Sequence, residues 1–273
     1  MPESRYSDLD RPPLSEAALN RALVRPGSLW SGVTVVDSTG STNTDLVAAA
    51  RAGAPEGTVL VAEEQRAGRG RMDRTWTAPV RSGLTFSILL RPTVPLAAQS
   101  WLTILYAVSA ASAVRALAEV DVRLKWPNDL LIGERKLAGV LAERVDDAVV
   151  IGMGMNVSLR ADELPVATAT SLAVEQAACV DREPLLKAVL REIDTHYREW
   201  TEADGDVEAC GLRSAYLSAN ATVGRRVRVE LPGDHQLVGR ATGVDRYGHL
   251  QVDTGDEQHT LSVGDVIHVR AVA

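Results

Sequence analysis

Apolar positions along this chain of 273 residues fall into two textures. As far as about residue 219 they form runs long enough for buried strands and helices. From residue 222 they alternate with polar residues in short bursts. In the first region "VTVVDSTGSTNTDLVAAARAG" passes from a strand-like run into a helix. The polar hinge at 38–44 offers N-caps, and Gly53 offers a stop. "TVLVAEEQ" (58–65) reads as a buried strand, and "GLTFSILLRP" (83–92) as another, ended by Pro92. Helical spacing runs through 97–118, and two further helices are expected over about 182–203 and 206–219. Between them "VRLKWPNDLLIGERKLAGVLAERV" reads as strand, turn, strand, turn, strand, and "DAVVIGMGMNVSL" adds one more. After 222 the turn signals "PGD", "RYGH" and "TGDE" separate about five short strands, the pattern of a small SH3-like barrel. The organisation expected is an N-terminal extension (1–30), a large domain (31–220) and a barrel (221–273).

Composition narrows the classes. A hydrophobic content of 45% supports a real core, and a single Phe leaves it to Leu, Val, Ile and Ala. The net charge of −7 argues against a general nucleic-acid or membrane binder, so any bound anion must be met by local charge. Cys179 and Cys210 form no CxxC, and the five histidines form no HxxxH or HExxH, so no metal site is expected. The N-terminus has no apolar core of signal-peptide length, and no apolar run reaches about 18 residues. A cytoplasmic protein is expected.

Four stretches carry chemistry. "EQRAGRGRMDRTW" (64–76) packs Arg66, Arg69, Arg71 and Arg74 around Gly68 and Gly70. Guanidinium groups are forked, permanent cations suited to carboxylates and phosphates, and glycines let backbone N–H groups approach an anion. Arginine- and glycine-rich loops are commonly solvated surface. This one joins two apolar strands and ends in Trp76, a ring able to stack on a base. It matches neither a P-loop nor a dinucleotide fingerprint. "RLKWPNDLL" sets Lys125 at a strand end before a Pro-restrained turn. Such a lysine either reaches to water or holds an oxygen on which charge develops. "STGSTN" (38–43) is either helix capping or a set of partners for a neutral polar ligand. "GMGMNV" (152–157) is either close strand packing or a place for Asn156 to reach a nucleotide.

In this order the segments "GSTNTD", "EEQRAGRGRMDRTW", "LKWPNDLL", "KLAGVLAE" and "GMGMNV" resemble the biotin–protein ligases, or holocarboxylase synthetases. The resemblance covers about residues 35–160, and the terminal barrel suits the family as well. It implies an α/β (α+β) fold: a mixed sheet with helices, related to class II aminoacyl-tRNA synthetase cores, plus the small barrel. It also implies two steps, with biotin and ATP, carried with Mg2+, as substrates. Biotinyl-5′-AMP forms first, and a lysine of a biotin carboxyl carrier domain then takes the biotin. Carried over by position, Ser41, Thr42, Asn43 and Gln65 would line a biotin pocket. Gly68, Arg69, Gly70 and Arg71 would form the adenylate loop, with Arg69 at the phosphate. Lys125 would touch the biotin carboxyl and the α-phosphate, and Gly139 would let its strand run close to the ligand. Arg71, Arg74, Trp76, Asn128 and Asn156 would serve ATP. Asp73 stands where many relatives have Gly. The short N-terminus implies a form without a DNA-binding module, hence no specific DNA and no membrane partner. A lipoate or octanoyl transferase would carry an RRxSGGG-type stretch, which is missing here. A nucleic-acid-binding module fits poorly with the acidic balance.

Overall fold

The computed structural model describes residues 11–72, 74–233, 235–262 and 264–269. A seven-stranded mixed sheet organises the larger part. Its strands are β1 (Gly32–Val36), β2 (Thr58–Ala62), β5 (Gly83–Leu90), β6 (Val122–Lys125), β7 (Asp129–Ile132), β8 (Arg135–Val145) and β9 (Ala148–Asn156). They lie in the order β1-β2-β5-β9-β8-β7-β6, and only β1 and β2 run parallel. Both faces of β5 are covered, so all eight of its residues are buried. On one face α3 (Leu102–Ala118) and α4 (Arg182–Glu202) pack over Phe86, Ile88, Ile151 and Met155. The segment Ala98–Ala118 has the length and hydropathy of a membrane span, but 72% of its most apolar 18-residue stretch is buried in this core. On the other face α2 (Thr42–Arg51) seals a smaller cluster with Leu46, Leu89 and Val150.

The N-terminal stretch is tied down through a buried ion pair. Arg182 Nη1 is 2.6 Å from Glu63 Oε2, while the Leu14 amide donates to Glu63 Oε1 and Arg182 Nη2 donates to the Pro12 carbonyl. Helix α1 (Glu16–Leu23) then covers the outer edge of β1. Asn20 bonds both the N–H and the carbonyl of Val33, and Glu16 accepts from the Val35 amide, so side chains take the place of a missing strand.

Two expectations shift. The 58–65 strand ends at Ala62. The helix expected from 206 begins at 212 (α5, Leu212–Ala219), because Gly211 adopts φ +74 just before it and Asp206 holds a turn by accepting from the Glu208 and Ala209 amides. The arginine stretch is not all loop. Two short strands, β3 (Gly68–Arg69) and β4 (Thr75–Trp76), pair into a ribbon. Asp73 lies outside the described residues, as do 1–10, 234, 263 and 270–273.

The C-terminal part is an antiparallel five-stranded sheet: β10 (Arg226–Leu231), β11 (His235–Val244), β12 (Leu250–Asp253), β13 (Gln258–Leu261) and β14 (Asp265–His268). Its inward residues Val227, Val229, Ala241, Val252 and Val266 are fully buried, as the alternating pattern predicts. It docks on the larger part through Trp126, whose indole Nε1 donates to the Gly248 carbonyl at 2.8 Å. The Trp126–Pro127 peptide bond is cis.

Candidate active site

The α2 face of the sheet contains glycine where a side chain would otherwise stand. Register pairs Gly139 with Gly154, Leu141 with Gly152, and Gly152 with Ser87, so these residues share one face. The missing side chains make room for specific groups. A Cβ on Gly152 would overlap Asn43 Oδ1, and one on Gly154 would overlap the Trp76 ring. Over this floor lies a cavity of about 650 Å³, within the range of small-molecule sites. It is walled by α2, the β3–β4 ribbon, β8, β9, the 165–169 segment and Asp265 of the barrel.

The end beneath α2 is neutral and dry. Ser41, Thr42 and Asn43 are each less than 5% exposed. Ser41 occupies the N-cap position of α2, yet its side chain makes no capping bond. Gln65 Oε1 caps the helix from outside instead, accepting from the Thr42 amide at 2.8 Å and its hydroxyl at 3.0 Å. Ser87 Oγ lies 2.6 Å from Asn43 Oδ1 and 2.7 Å from Thr42 Oγ1. Of the two sequence readings of "STGSTN", side-chain capping therefore fails for Ser41, a residue that lines the cavity.

The opposite end is cationic and more open. Each arginine of the ribbon has a protein partner. Arg66 lies 3.5 Å from Glu64, Arg69 2.8 Å from Glu143, and Arg74 2.6 Å from Asp265. Arg71 has neutral ones, the Asn128 side-chain oxygen at 3.2 Å and the Gly264 carbonyl at 2.9 Å. Burial pushes the Arg71 pKa down, opposed by Asp129 and Asp265, and the group stays charged at neutral pH. The Gly70 amide closes the ribbon onto the Arg74 carbonyl at 2.6 Å. Two buried polar atoms of lining residues have no partner among the described residues: Trp76 Nε1 and Asn156 Oδ1. An unsatisfied buried donor and acceptor here point to a polar ligand.

Twelve of the residues singled out from sequence line this one cavity: Ser41, Thr42, Asn43, Gln65, Arg69, Gly70, Arg71, Arg74, Trp76, Asn128, Gly139 and Asn156. Two do not. Gly68 is the buried residue of β3, where a Cβ would meet the Trp76 carbonyl and Gln65 Nε2, so its close approach is to protein. Lys125 also lies outside the lining. It pairs with Asp129 across the β6–β7 hairpin at the sheet edge, 3.9 Å from Asp129 Oδ2, and its charge acts on His268 of the barrel. The lysine that does line the cavity is Lys136, 2.7 Å from Asp129 Oδ1 and 6.0 Å from the centre of the Trp76 ring. A β-bulge puts it there. Pairing of β7 with β8 skips Leu137, so Lys136 joins Gly139 on the cavity face. Asp129 and Asp265 are lining residues that the sequence reading also passed over, whereas Gly152 and Gly154 of "GMGMNV" line the cavity and show the close packing that was one of its two readings.

A mixed sheet carrying a glycine floor, a neutral pocket and an arginine ribbon, with a small barrel beside them, defines an acyl-activating ligase of the biotin and lipoate type. Comparison with known proteins agrees. The model of the Biotin/lipoate A/B protein ligase family matches residues 35–156, and that of the Biotin protein ligase C terminal domain matches 222–269. The biotin--[acetyl-CoA-carboxylase] ligase of Mycobacterium tuberculosis is 40% identical over 265 residues, 95% of this chain and 97% of that protein. The bifunctional ligase/repressor BirA of Bacillus spizizenii is 34% identical, covering 85% of this chain and 71% of its own. The biotin protein ligase of Aquifex aeolicus, solved in complex with biotin and ATP, superposes with a TM-score of 0.74 at 27% identity, over 89% of this chain and 100% of that one. The chain belongs to the biotin protein ligases.

Proposed function

We infer that this protein activates biotin with ATP and transfers it to a lysine of a carboxylase's biotin carrier domain. The observation that carries the reading is one continuous cavity with a neutral, hydrogen-bonding end and a cationic end, in a chain 40% identical to a biotin--[acetyl-CoA-carboxylase] ligase. In the first step a biotin carboxylate oxygen bonds to the α-phosphorus of ATP, and the bond to pyrophosphate breaks. In the second, the acceptor lysine's amine attacks the acyl carbon, AMP leaves, and the amine gives up a proton as the amide forms. Negative charge builds on phosphoryl and then acyl oxygens, so fixed cations are the useful catalysts.

The roles follow from position. Ser41, Thr42, Asn43 and Gln65 bind the neutral ureido ring of biotin, since a dry pocket makes each neutral hydrogen bond count. Lys136, which lines the cavity and is oriented by Asp129, holds the biotin carboxylate and then the charge of the transition state. Arg69, Arg71 and Arg74 receive the phosphates, exchanging their protein partners for phosphate oxygens. Trp76 and Asn156, each with an unpaired buried polar atom, serve the nucleotide's base and sugar. ATP enters as its Mg2+ complex, and Asp129 and Asp265 are the carboxylates whose charge acts on Arg71. The cytoplasm, where ATP, biotin and carboxylases meet, is the expected compartment.

Incubation with biotin, MgATP and an apo carrier domain, followed by intact mass, tests the reading. A single biotin adduct that requires both small molecules is expected. An unmodified carrier domain from folded protein contradicts it.

A further inference from the structure

Alternation along β8 puts Gly139, Leu141 and Glu143 in one row on the cavity face. The first two line the cavity, and Glu143 stands just beyond them. Its two oxygens serve different elements. Oε1 accepts from Arg69 Nη1 of the ribbon at 2.8 Å, and Oε2 accepts from Asn43 Nδ2 of α2 at 2.9 Å. The amide of Asn43 continues the contact inward, since its oxygen lies 2.6 Å from Ser87 Oγ. Ser87 Oγ meets Thr42 Oγ1, which donates to Gln65 Oε1. A polar chain thus runs from the exposed guanidinium of Arg69 through Glu143 and Asn43 into the pocket, where Ser87 Oγ has one proton for either Asn43 Oδ1 or Thr42 Oγ1.

The acids that face the other arginines are placed differently. Asp265 belongs to the barrel, and Glu64 accepts from Ser38 at the surface. Among the described residues, only the acid of Arg69 is also bonded to the neutral pocket. Arg69 spends Nη1 on Glu143, and among the described residues no bond occupies its Nε or Nη2. An arginine held at one end of its fork stays aimed while it offers the other end to an anion.

We propose that Glu143 is a positioning residue. It fixes Arg69 toward the phosphate region and, through Asn43, couples that arginine's position to occupancy of the ring pocket. The inference rests on the ligase reading above. A filled ring pocket steadies Asn43, Asn43 steadies Glu143, and Arg69 then meets the phosphate with less freedom left to lose. A carboxylate that merely neutralised surface charge would need no amide from α2.

The test is a double-mutant cycle of Glu143→Gln and Arg69→Ala. Gln keeps the size and a neutral acceptor but removes the charge. In biotin-dependent ATP–pyrophosphate exchange, E143Q is expected to lower kcat/KM for ATP about tenfold, the scale of one charge-assisted hydrogen bond. Biotin affinity measured without nucleotide should change less than about threefold by the same scale, since Asn43 keeps the Leu141 carbonyl as a partner. Calorimetry with biotinol-5′-AMP, a stable adenylate analogue, then reads the four corners of the cycle. In the Arg69→Ala background E143Q should weaken analogue binding less than about twofold, because the residue it acts through is gone. Equal fold-changes in both backgrounds, or unchanged ATP kinetics in E143Q, would overturn the proposal. Glu143→Asp, which keeps the charge, should recover part of the loss and carries the same cycle if the Gln variant folds poorly. Wild-type protein inactive in exchange contradicts the ligase reading. Active wild type with an additive cycle contradicts this inference alone.

Discussion

The two ends of the cavity solve opposite problems. At the α2 end Thr42, Asn43, Gln65 and Ser87 lie within hydrogen-bond distance in one connected set, Thr42 and Asn43 are less than 5% exposed, and no side chain of the set is charged. At the ribbon end Arg69 and Arg74 are 53% and 59% exposed, and each leans on a carboxylate. A neutral ring gains little from hydrogen bonds that water can replace, so its site must be dry and rigid before the ligand arrives. A phosphate brings its own charge, so its site is kept wet and neutralised until the exchange of partners takes place. Lys136 lines the same cavity beside Gly139 and Asp129, and it is the cation proposed above to hold the biotin carboxylate.

The contrast breaks first at that lysine. Lys136→Ala should lower the exchange rate roughly 10²–10³-fold, the usual effect of removing one group that stabilises developing charge. Lys125→Ala, outside the cavity, should lower it less than about tenfold. The reverse order would restore Lys125 to the site. Next in size is the glycine floor. Gly152→Ala drives a methyl into Asn43 Oδ1, so biotin affinity by calorimetry should fall at least about tenfold, with the fold retained. Unchanged affinity would mean that the pocket under α2 does not hold the ring.

Smaller effects separate the ends by their electrostatics. Raising salt from about 0.05 to 0.5 M shortens the screening length severalfold. The KM for ATP should rise several-fold, while biotin affinity without nucleotide stays within about twofold. Equal salt responses would remove the distinction between the ends. The smallest effect lies at the barrel junction. Burial pushes the His268 pKa down, with Arg225 and Lys125 acting in the same direction and Glu134 against them. A depressed histidine keeps its full contribution above the unfolded value near 6.5 and loses it as pH falls toward the folded value. Thermal stability should therefore decline below about pH 6.5, and His268→Gln should flatten that part of the profile. Glu134 itself titrates below its ordinary range, in a separate and more acidic window.

What the chain revealed beforehand follows the same division. "GSTN" and "GRGR" named both ends of the cavity, because the chemistry sits in contiguous residues. The barrel was legible from its turns. Lys136 was not, although it opens the quoted "KLAGVLAE". Simple alternation places 137, 139, 141 and 143 on one face and 136 on the other, and only the skipped pairing at Leu137 turns Lys136 inward. Bulges depend on the partner strand, so the sequence of β8 alone does not show one. The ribbon's carboxylate partners were hidden for another reason: Glu143 lies 74 residues from Arg69, and Asp265 belongs to the barrel. The strands β3 and β4 have two residues each, too short for any periodic signal.

A crystal structure of the protein with biotinol-5′-AMP measures the central claim most directly, through the distances from Lys136 Nζ and Lys125 Nζ to the analogue's phosphate oxygens. The bicyclic ring should lie against Thr42, Asn43 and Gln65, with Lys136 Nζ within about 3 Å of a phosphate oxygen and Lys125 beyond hydrogen-bond reach. A phosphate bound to Lys125, or a ring seated among the arginines, would contradict the two-ended site.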